Sequence, residues 1–381
     1  MNFSPRFIHS HELQLFYVLK YLKEVGCLFR EDDKERLGYL KDAIDNHNEI
    51  YKWIKEKIDK IPPILVLNHN NAKNTPHIRK IKVQNSFEEK LDDKRKIQNI
   101  KVGIANIQIA EETIMDNLEY FRMQNTSLER WLDLAKILNI SITEKCDMVV
   151  FPELSIPARW IVPLTLWARE HRIGLVFGIE YILSDEKAYN FTAAILPYQV
   201  SQHYQSCCVS LRLKNYYAPG EIKYLNVNRY EVPEESQHSY NLYEWKGNQF
   251  TIYNCFELAD IKHRSLFVSE LDYLIACSWN KDVDYYANIL ESMCRDVHCY
   301  VMHANTANYG ESRILQPTKR ELKTLAAIGG GKNATIMVGE LDIQKLAEFQ
   351  VKAYNSDDET FKPLPPGFDS EMVKKRHKID G

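Results

Sequence analysis

Three reactive side chains each follow an apolar, strand-like run of the sequence. Glu153 comes after DMVVFP, Lys214 after SCCVSLRL and Cys255 after FTIYN. The ends of strands in a layered α/β domain are common positions for catalytic groups, because the strand is rigid and the following turn exposes the side chain. Each residue taken alone is more typical of a surface carboxylate, a solvated lysine or a core cysteine. A functional interpretation therefore requires that the three lie together.

As a set, these side chains are sufficient for acyl transfer from an amide or nitrile carbon. A thiol needs a base to become a nucleophile, and a buried carboxylate can have its pKa raised into a useful range. An ammonium group beside the thiol can stabilise the thiolate and later the oxyanion of a tetrahedral intermediate. No histidine partner is needed for this chemistry.

Alternating strand-like and helix-like segments predict the elements that position these residues. Short β-branched runs and amphipathic stretches succeed one another from about residue 99 to 350, which indicates an α/β layered domain. The predicted strands cover 101–109, 147–151, 174–182, 190–196, 206–213, 250–254, 271–278, 300–305 and 334–338, and the predicted helices 128–138, 159–171 and 284–297.

The two ends of the chain differ from this central part. Residues 1–98 carry 19 basic and 15 acidic side chains and have helical spacing over 12–25 and 33–61, which predicts a charged helical N-terminal region or linker. The tail from Asn355 is acidic, then rich in proline, then basic, which is typical of an extension. The predicted division is 1–98, then a domain over 99–350, then a C-terminal extension over 351–381.

The composition is that of an ordinary folded protein. The chain has 381 residues, 45% hydrophobic and 27% charged, with a formal net charge of −3. This balance gives no overall attraction to nucleic acid or anionic lipid, and no apolar run is long enough to cross a bilayer. Without a signal-peptide core, the 8 cysteines are expected to be free thiols in the cytoplasm.

Competing motifs in the sequence have ordinary explanations. Cys294, His298, Cys299 and His303 lie close together in sequence, but their spacing matches no common zinc site, so packing is favoured and no metal is expected. The glycine-rich run at 328–333 lacks the phosphate-loop pattern and is predicted to be a loop. The basic patches at 79–82, 94–96 and 374–378 are short and more typical of solvated surface than of a nucleic-acid site.

Three ordered motifs resemble the signature blocks of the nitrilase, or carbon–nitrogen hydrolase, superfamily. These are VVFPEL (149–154), LRLKNYYAPGE (211–221) and IYNCFEL (252–258), with Glu, Lys and Cys in the family's order. The resemblance extends over about residues 101–345 and includes the opening strand KVGIANIQ and the later phrase YGESRIL (309–315).

The resemblance implies a role for each matching residue. Cys255 would be the nucleophile that forms a thioester, Glu153 the general base, and Lys214 the group that stabilises the oxyanion together with the backbone N–H of Phe256. Glu221 occupies the position of a second glutamate near the substrate, or else is a surface turn carboxylate. Trp279 and Asn280 occupy a block that often contacts substrate, although core packing explains Trp279 equally well.

The sequence departs from the family pattern at two places. After Cys255 it reads Phe256-Glu257-Leu258-Ala259-Asp260, without the aspartate and arginine that many members have. After Lys214 it has Asn215 and Tyr216 in place of the common histidine-containing reading. These departures concern the substrate more than the three catalytic positions.

The resemblance implies an α/β fold of the αββα sandwich type, preceded by the helical N-terminal extension. The implied reaction is hydrolysis of a non-peptide carbon–nitrogen bond in a small amide-like substrate through a cysteine thioester, with no cofactor or metal. An acyltransferase would use the same thioester. Members commonly associate through a helix layer, so a homo-oligomer is expected.

A second hypothesis is a regulatory or interaction module of a larger assembly, for example a reverse-transcriptase-associated defence protein. The unusual segment 1–98 motivates it, because an ordinary member of the family does not need such a segment. The intact triad of Glu153, Lys214 and Cys255 argues against a catalytically inactive scaffold.

Overall fold

Two β-sheets form the centre of the protein, which we describe from a computed structural model. The described residues are 64–68, 76–83, 97–112, 114, 118, 124–184, 186–201, 204–233, 238–352 and 360–379. The predicted helical segments at 12–25 and 33–61 lie outside them.

One sheet has six strands in the order β14-β3-β4-β5-β6-β7. Strands β3, β4 and β5 are parallel, whereas β5, β6 and β7 form an antiparallel meander and β14 pairs antiparallel with β3. The strands are β3 (Ile100–Asn106), β4 (Met148–Val150), β5 (Gly174–Ser184), β6 (Lys187–Ser201), β7 (Tyr204–Leu213) and β14 (Thr335–Leu341).

The other sheet has eight strands in the order β1-β2-β8-β9-β10-β11-β12-β13. Its centre is the parallel set of β9, β10 and β11, in which Asn254 lies opposite Cys277. The strands are β1 (Ile64–Asn68), β2 (His77–Val83), β8 (Ser239–Trp245), β9 (Asn248–Asn254), β10 (Tyr273–Ser278), β11 (Tyr300–Asn305), β12 (Ser312–Leu315) and β13 (Thr324–Ile328).

Seven helices accompany the sheets within the described part of the chain. They are α1 (Leu128–Thr143), α2 (Ile161–His171), α3 (Pro219–Val227), α4 (Ile261–Arg264), α5 (Val283–Met293), α6 (Ile343–Lys352) and α7 (Ser370–His377). The predicted helices at 128–138, 159–171 and 284–297 correspond to α1, α2 and α5.

The buried apolar clusters show how these elements are layered. One cluster joins the facing sides of the two sheets, with Val102 and Val176 on one side and Ile252 and Ile275 on the other. A second cluster packs α1 and α2 on the outer face of the six-stranded sheet, and a third packs α5 on the outer face of the eight-stranded sheet. Alternating strand residues therefore bury both faces of each sheet. The predicted αββα sandwich is confirmed.

Part of the predicted N-terminal linker belongs to this sandwich. Residues 77–83 form β2, which pairs parallel with β8 of the eight-stranded sheet, and residues 64–68 form β1, which pairs with β2. The expectation of a helical or linker character up to residue 98 is wrong for these two segments. In β2 the alternating Ile81 and Val83 are buried while the intervening lysine lies at the surface, so a half-buried strand explains the charge that favoured a linker.

The C-terminal helix α7 is also attached to the domain. Asp272, which precedes β10, accepts hydrogen bonds from Arg376 at 3.0 Å and from His377 at 2.8 Å, and all three side chains are almost fully buried. Arg376 also donates to the carbonyl of Ser269 at 2.7 Å. The described part of the C-terminal extension is therefore packed structure.

Candidate active site

The three predicted catalytic residues follow strands from both sheets and converge at one end of the sandwich. Glu153 follows β4 and Lys214 follows β7 in the six-stranded sheet, while Cys255 follows β9 in the eight-stranded sheet. All three are buried, with exposed fractions of 2%, 3% and 6%. A site built in this way requires both sheets to be present and packed.

A glycine holds the loop of Glu153 against the neighbouring strand. The N–H of Gly178 in β5 donates to the carbonyl of Pro152, and its own carbonyl accepts from Ser155 and Ile156. A Cβ atom at Gly178 would lie 2.4 Å from the Cα of Glu153. The close approach therefore requires glycine here. The next residue, Leu154, has a φ of 55°, so the loop turns sharply just after the carboxylate.

Lys214 lies between two carboxylates. Its Nζ donates to Glu153 Oε1 and to Glu221 Oε2, each at 2.7 Å. Glu221 is the third residue of α3, and the same Oε2 accepts from the backbone N–H of Ala218 at 3.2 Å. Only 14% of the Glu221 side chain is exposed, so it is not a surface turn carboxylate. The pair of buried acids keeps the lysine in a fixed position.

Asn190 of β6 joins this cluster to the strand that carries Cys255. Its amide nitrogen donates to Glu153 Oε1 at 2.8 Å, and its amide oxygen accepts from Asn254 at 3.0 Å. Tyr181 donates to Glu221 Oε1 at 2.6 Å. Neither Asn190 nor Tyr181 is predicted from the sequence. For Asn190 the available signal was a polar amide within the otherwise apolar strand around YNF.

A buried ion pair fixes the turn that follows β9. Both Arg212 guanidinium nitrogens Nη1 and Nη2 donate to the Glu257 carboxylate at 2.7 Å, and Nη2 also donates to the carbonyl of Ile252 at 2.9 Å. Glu257 in turn accepts from the backbone N–H groups of Asn215 and Asn254. The pair thus connects the segments that carry Lys214 and Cys255.

Cys255 begins this turn in a left-handed conformation, with a φ of 46°. Such a conformation is uncommon for a residue other than glycine and is concentrated at functional sites. Phe256 is the next residue of the same short 3₁₀ turn, Cys255–Ala259.

Two groups contact the sulfur of Cys255. The hydroxyl of Tyr286 in α5 lies 3.6 Å from Sγ, and the Asn280 amide nitrogen lies 3.9 Å from it. The backbone N–H of Trp279 donates to Glu153 Oε2 at 3.1 Å. Trp279 and Asn280 follow β10, whose end lies beside the end of β9, which explains their place here. The segment after β10 therefore contacts the predicted base through Trp279 and the predicted nucleophile through Asn280.

Burial and charge determine the proton affinities in this cluster. Burial raises the pKa of Glu153, and the charge of Glu221 raises it further against the opposing effect of Lys214. Burial also raises the pKa of Cys255 to about 12; Glu153 adds to this increase, while Lys214 opposes it. For Lys214, burial alone would lower the pKa, but the two carboxylates outweigh it and the pKa is raised. The thiol of Cys255 is therefore protonated in the resting cluster, and Lys214 is an ammonium group.

The structure brings all the predicted site residues to one place: Glu153, Lys214, Cys255, Glu221, Phe256, Trp279 and Asn280. Their catalytic roles remain predictions. The residues near Cys294 have separate contacts; His298, for example, bonds the carbonyl of Lys362 at 2.7 Å. Within the described ranges, no three His, Cys, Asp or Glu side chains are arranged to hold a metal ion.

Comparison with solved structures finds similar folds. The chain is similar to Nit3 of Saccharomyces cerevisiae, a member of the nitrilase superfamily, at 17% identity and a TM-score of 0.48, covering 69% of this chain and 96% of that one. It is also similar to an amidase from Nesterenkonia sp. at 13% identity and a TM-score of 0.46, covering 67% of this chain and 95% of that one. A third similar structure is a carbon–nitrogen hydrolase superfamily protein of Xanthomonas campestris, at 14% identity and a TM-score of 0.45, covering 70% of this chain and all of that one (100%).

At identities of 13–17%, these likenesses concern the fold alone. No protein-family model matches the chain, and no curated protein matches it. Among the described helices, none is both long and apolar enough to span a bilayer.

Proposed function

We propose that the protein is a carbon–nitrogen hydrolase of the nitrilase superfamily that cleaves a small, non-peptide amide through a thioester on Cys255. The observation that carries this proposal is the buried Glu153–Lys214 contact at 2.7 Å, beside which the segment after β10 contacts Glu153 through the N–H of Trp279 and the sulfur of Cys255 through Asn280. If this cluster served only packing, apolar residues would fill the space at lower cost than a buried carboxylate, ammonium group and thiol.

The first half of the reaction forms the acyl-enzyme. Glu153 takes the thiol proton of Cys255 as the sulfur attacks the amide carbon, and a carbon–sulfur bond forms. The ammonium group of Lys214 and the N–H of Phe256 stabilise the negative oxygen of the tetrahedral intermediate. Glu153 then gives its proton to the departing nitrogen, the carbon–nitrogen bond breaks, and an amine or ammonia leaves.

The second half returns the enzyme to its starting state. Glu153 takes a proton from water, the resulting hydroxide attacks the thioester, and the carbon–sulfur bond breaks to give a carboxylic acid. The thiolate recovers the proton from Glu153. The raised pKa of Glu153 suits this double use. A group that acts as both base and acid in one cycle needs a pKa closer to neutral pH than that of an ordinary carboxylate.

Mass spectrometry of the intact protein after incubation with a panel of small amides tests the proposal. The expected result is an added acyl mass on Cys255 together with release of ammonia or amine. Cys255→Ala removes the adduct and the turnover, whereas Cys207→Ala, at another buried cysteine, retains both. Turnover by Cys255→Ala at the wild-type rate would overturn the thioester mechanism.

A further inference from the structure

We propose that the hydroxyl of Tyr286 is a further catalytic group, which donates a hydrogen bond to the sulfur of Cys255 and stabilises its thiolate. This inference rests on the proposed function. It adds a residue on α5, outside the three motif segments that carry Glu153, Lys214 and Cys255.

The geometry supports a direct contact. The oxygen of Tyr286 lies 3.6 Å from Sγ, within hydrogen-bonding range for sulfur, and within the described residues this is the only hydrogen bond that the hydroxyl makes. Tyr286 is 2% exposed and packs in the same apolar cluster as Cys255 and Leu258. A buried hydroxyl without another partner is costly, so its orientation towards the sulfur has an energetic reason.

The surroundings of Tyr286 fix its ring. The ring of His303 in β11 stacks on it with centroids 6.5 Å apart, and the ring of Tyr285 meets it edge-on at 6.0 Å. The side chain of Asp282 caps the start of α5 by accepting from the N–H of Tyr285. Because the start of α5 is capped and the buried ring of His303 stacks on the ring of Tyr286, the hydroxyl has little freedom to leave the sulfur.

Tyr286 is the donor once Cys255 is a thiolate, because the sulfur then has no proton to give, whereas in the resting thiol either group can donate. Burial raises the pKa of Tyr286, and a charge on Cys255 would raise it further, so the phenol keeps its proton. Burial lowers the pKa of His303 to about 4, so this neighbour is neutral and supplies no charge of its own. The charged groups that face the sulfur are Glu153 and Lys214.

In the reaction, this hydrogen bond strengthens as negative charge develops on sulfur. The thiol proton goes to Glu153, and Tyr286 keeps its own proton throughout. The same bond stabilises the thiolate as a leaving group when water resolves the thioester. A hydrogen bond to a charged acceptor contributes more than a neutral one, so the contact favours the ionised sulfur.

The test is the pH dependence of alkylation of Cys255 by iodoacetamide, followed by peptide mass spectrometry in wild type, Tyr286→Phe and Tyr285→Phe. For Tyr286→Phe, the alkylation rate at neutral pH is expected to fall about 10-fold, with the pH midpoint moved upward by about one unit. Tyr285→Phe is the matched control, because Tyr285 is the neighbouring tyrosine and is 49% exposed. The alkylation profile of Tyr285→Phe should match that of wild type.

Several results would separate the alternatives. A Tyr286→Phe profile that superimposes on wild type overturns the proposal, since a purely structural ring would leave the thiol's proton affinity unchanged. If Tyr286→Phe lowers the melting temperature markedly, the midpoint is measured below the onset of unfolding, and a shifted midpoint supports the proposal while an unshifted one overturns it. The assay needs no amide, so failure of the hydrolase proposal would appear separately, as absence of an acyl adduct on wild type.

Discussion

At the scale of single residues, the cluster depends on two carboxylates that share one lysine. Lys214 contacts both Glu153 and Glu221 at 2.7 Å, but only Glu153 also accepts a hydrogen bond from the N–H of Trp279. Under the proposed mechanism, Glu153 is the group that changes its protonation during each half-reaction. Glu221 contributes a fixed charge and holds Lys214 and Tyr181. The two acids therefore have different consequences when they are replaced.

The pH dependence of acylation follows from the raised pKa of Glu153. The base acts as a carboxylate, so kcat/KM falls as the pH decreases through this pKa, at a pH above the ordinary value of about 4.5. The negative charge of Glu221 is one cause of the increase, so Glu221→Gln should move the acid limb to lower pH. The measurement is the rate of acyl-adduct formation against pH.

The control for this prediction is Glu186→Gln, at an exposed glutamate in the turn between β5 and β6, for which the acid limb should stay in place. An acid limb that moves to higher pH in Glu221→Gln would contradict the electrostatic explanation.

The three residues of the predicted triad could be identified from the sequence because each follows an apolar strand in a characteristic block. The strand predicts that the side chain has a fixed position, and a reactive side chain at the strand's end predicts that it belongs to a shared site, as for Glu153 and Cys255. The supporting residues gave weaker signals. Asn190 and Tyr286 lie within an ordinary strand and an ordinary helix, and their importance depends on contacts between segments that are far apart in sequence.

At the scale of elements, the site depends on how closely neighbouring segments approach. The Arg212–Glu257 pair connects the end of β7 with the turn after β9, and this couples the two sheets at the site. Breaking a buried pair of this kind by removing one partner costs about 3–5 kcal/mol. The close approach between β5 and the loop of Glu153 likewise requires glycine at position 178.

Replacing this glycine should impair the site through the backbone. In Gly178→Ala the new Cβ would meet the Cα of Glu153 at 2.4 Å and the backbone nitrogen of Leu154 at 2.5 Å, so the loop must move. Overpacking of this kind costs about 1–3 kcal/mol of unfolding free energy. Displacement of the base by about 1 Å is expected to slow acylation on the order of 100-fold. The measurements are urea denaturation and the rate of adduct formation.

Gly329→Ala is the matched control, because nothing lies within 4 Å of a Cβ at that position. It should retain the wild-type acylation rate. Wild-type acylation by Gly178→Ala would show that the loop of Glu153 tolerates displacement.

At the scale of the whole molecule, the ends of the described chain extend the sandwich. The strand and helix periods over about 99–350 predicted an α/β layered domain, and the resemblance of the motifs to the nitrilase superfamily implied its αββα form. These patterns missed β1 and β2, whose polar setting obscured two short strands, and they did not predict that α7 is attached to the segment before β10. Both attachments depend on distant partners: β8 for β2, and Asp272 for α7.

The Asp272 network should make the attachment of α7 dependent on pH. Burial alone would raise the pKa of Asp272, but Arg376 and His377 outweigh it and hold the pKa below its ordinary value. The stabilisation is therefore present above the ordinary pKa of about 4 and is lost as the pH falls through the lower folded-state pKa. Asp272→Asn leaves the buried Arg376 without its counter-ion, so we expect a loss of about 3–5 kcal/mol of unfolding free energy at pH 7. Urea denaturation followed by circular dichroism between pH 2.5 and 7 measures the difference in unfolding free energy between Asp272→Asn and wild type. This difference should narrow below about pH 4, because wild type then loses the same interaction.

Glu371→Gln on the same helix is the control, since the Glu371 side chain is 65% exposed and its ion pair with Lys374 contributes little. A difference between Asp272→Asn and wild type that stays constant down to pH 2.5 would show that the loss comes from packing rather than from the charge of Asp272.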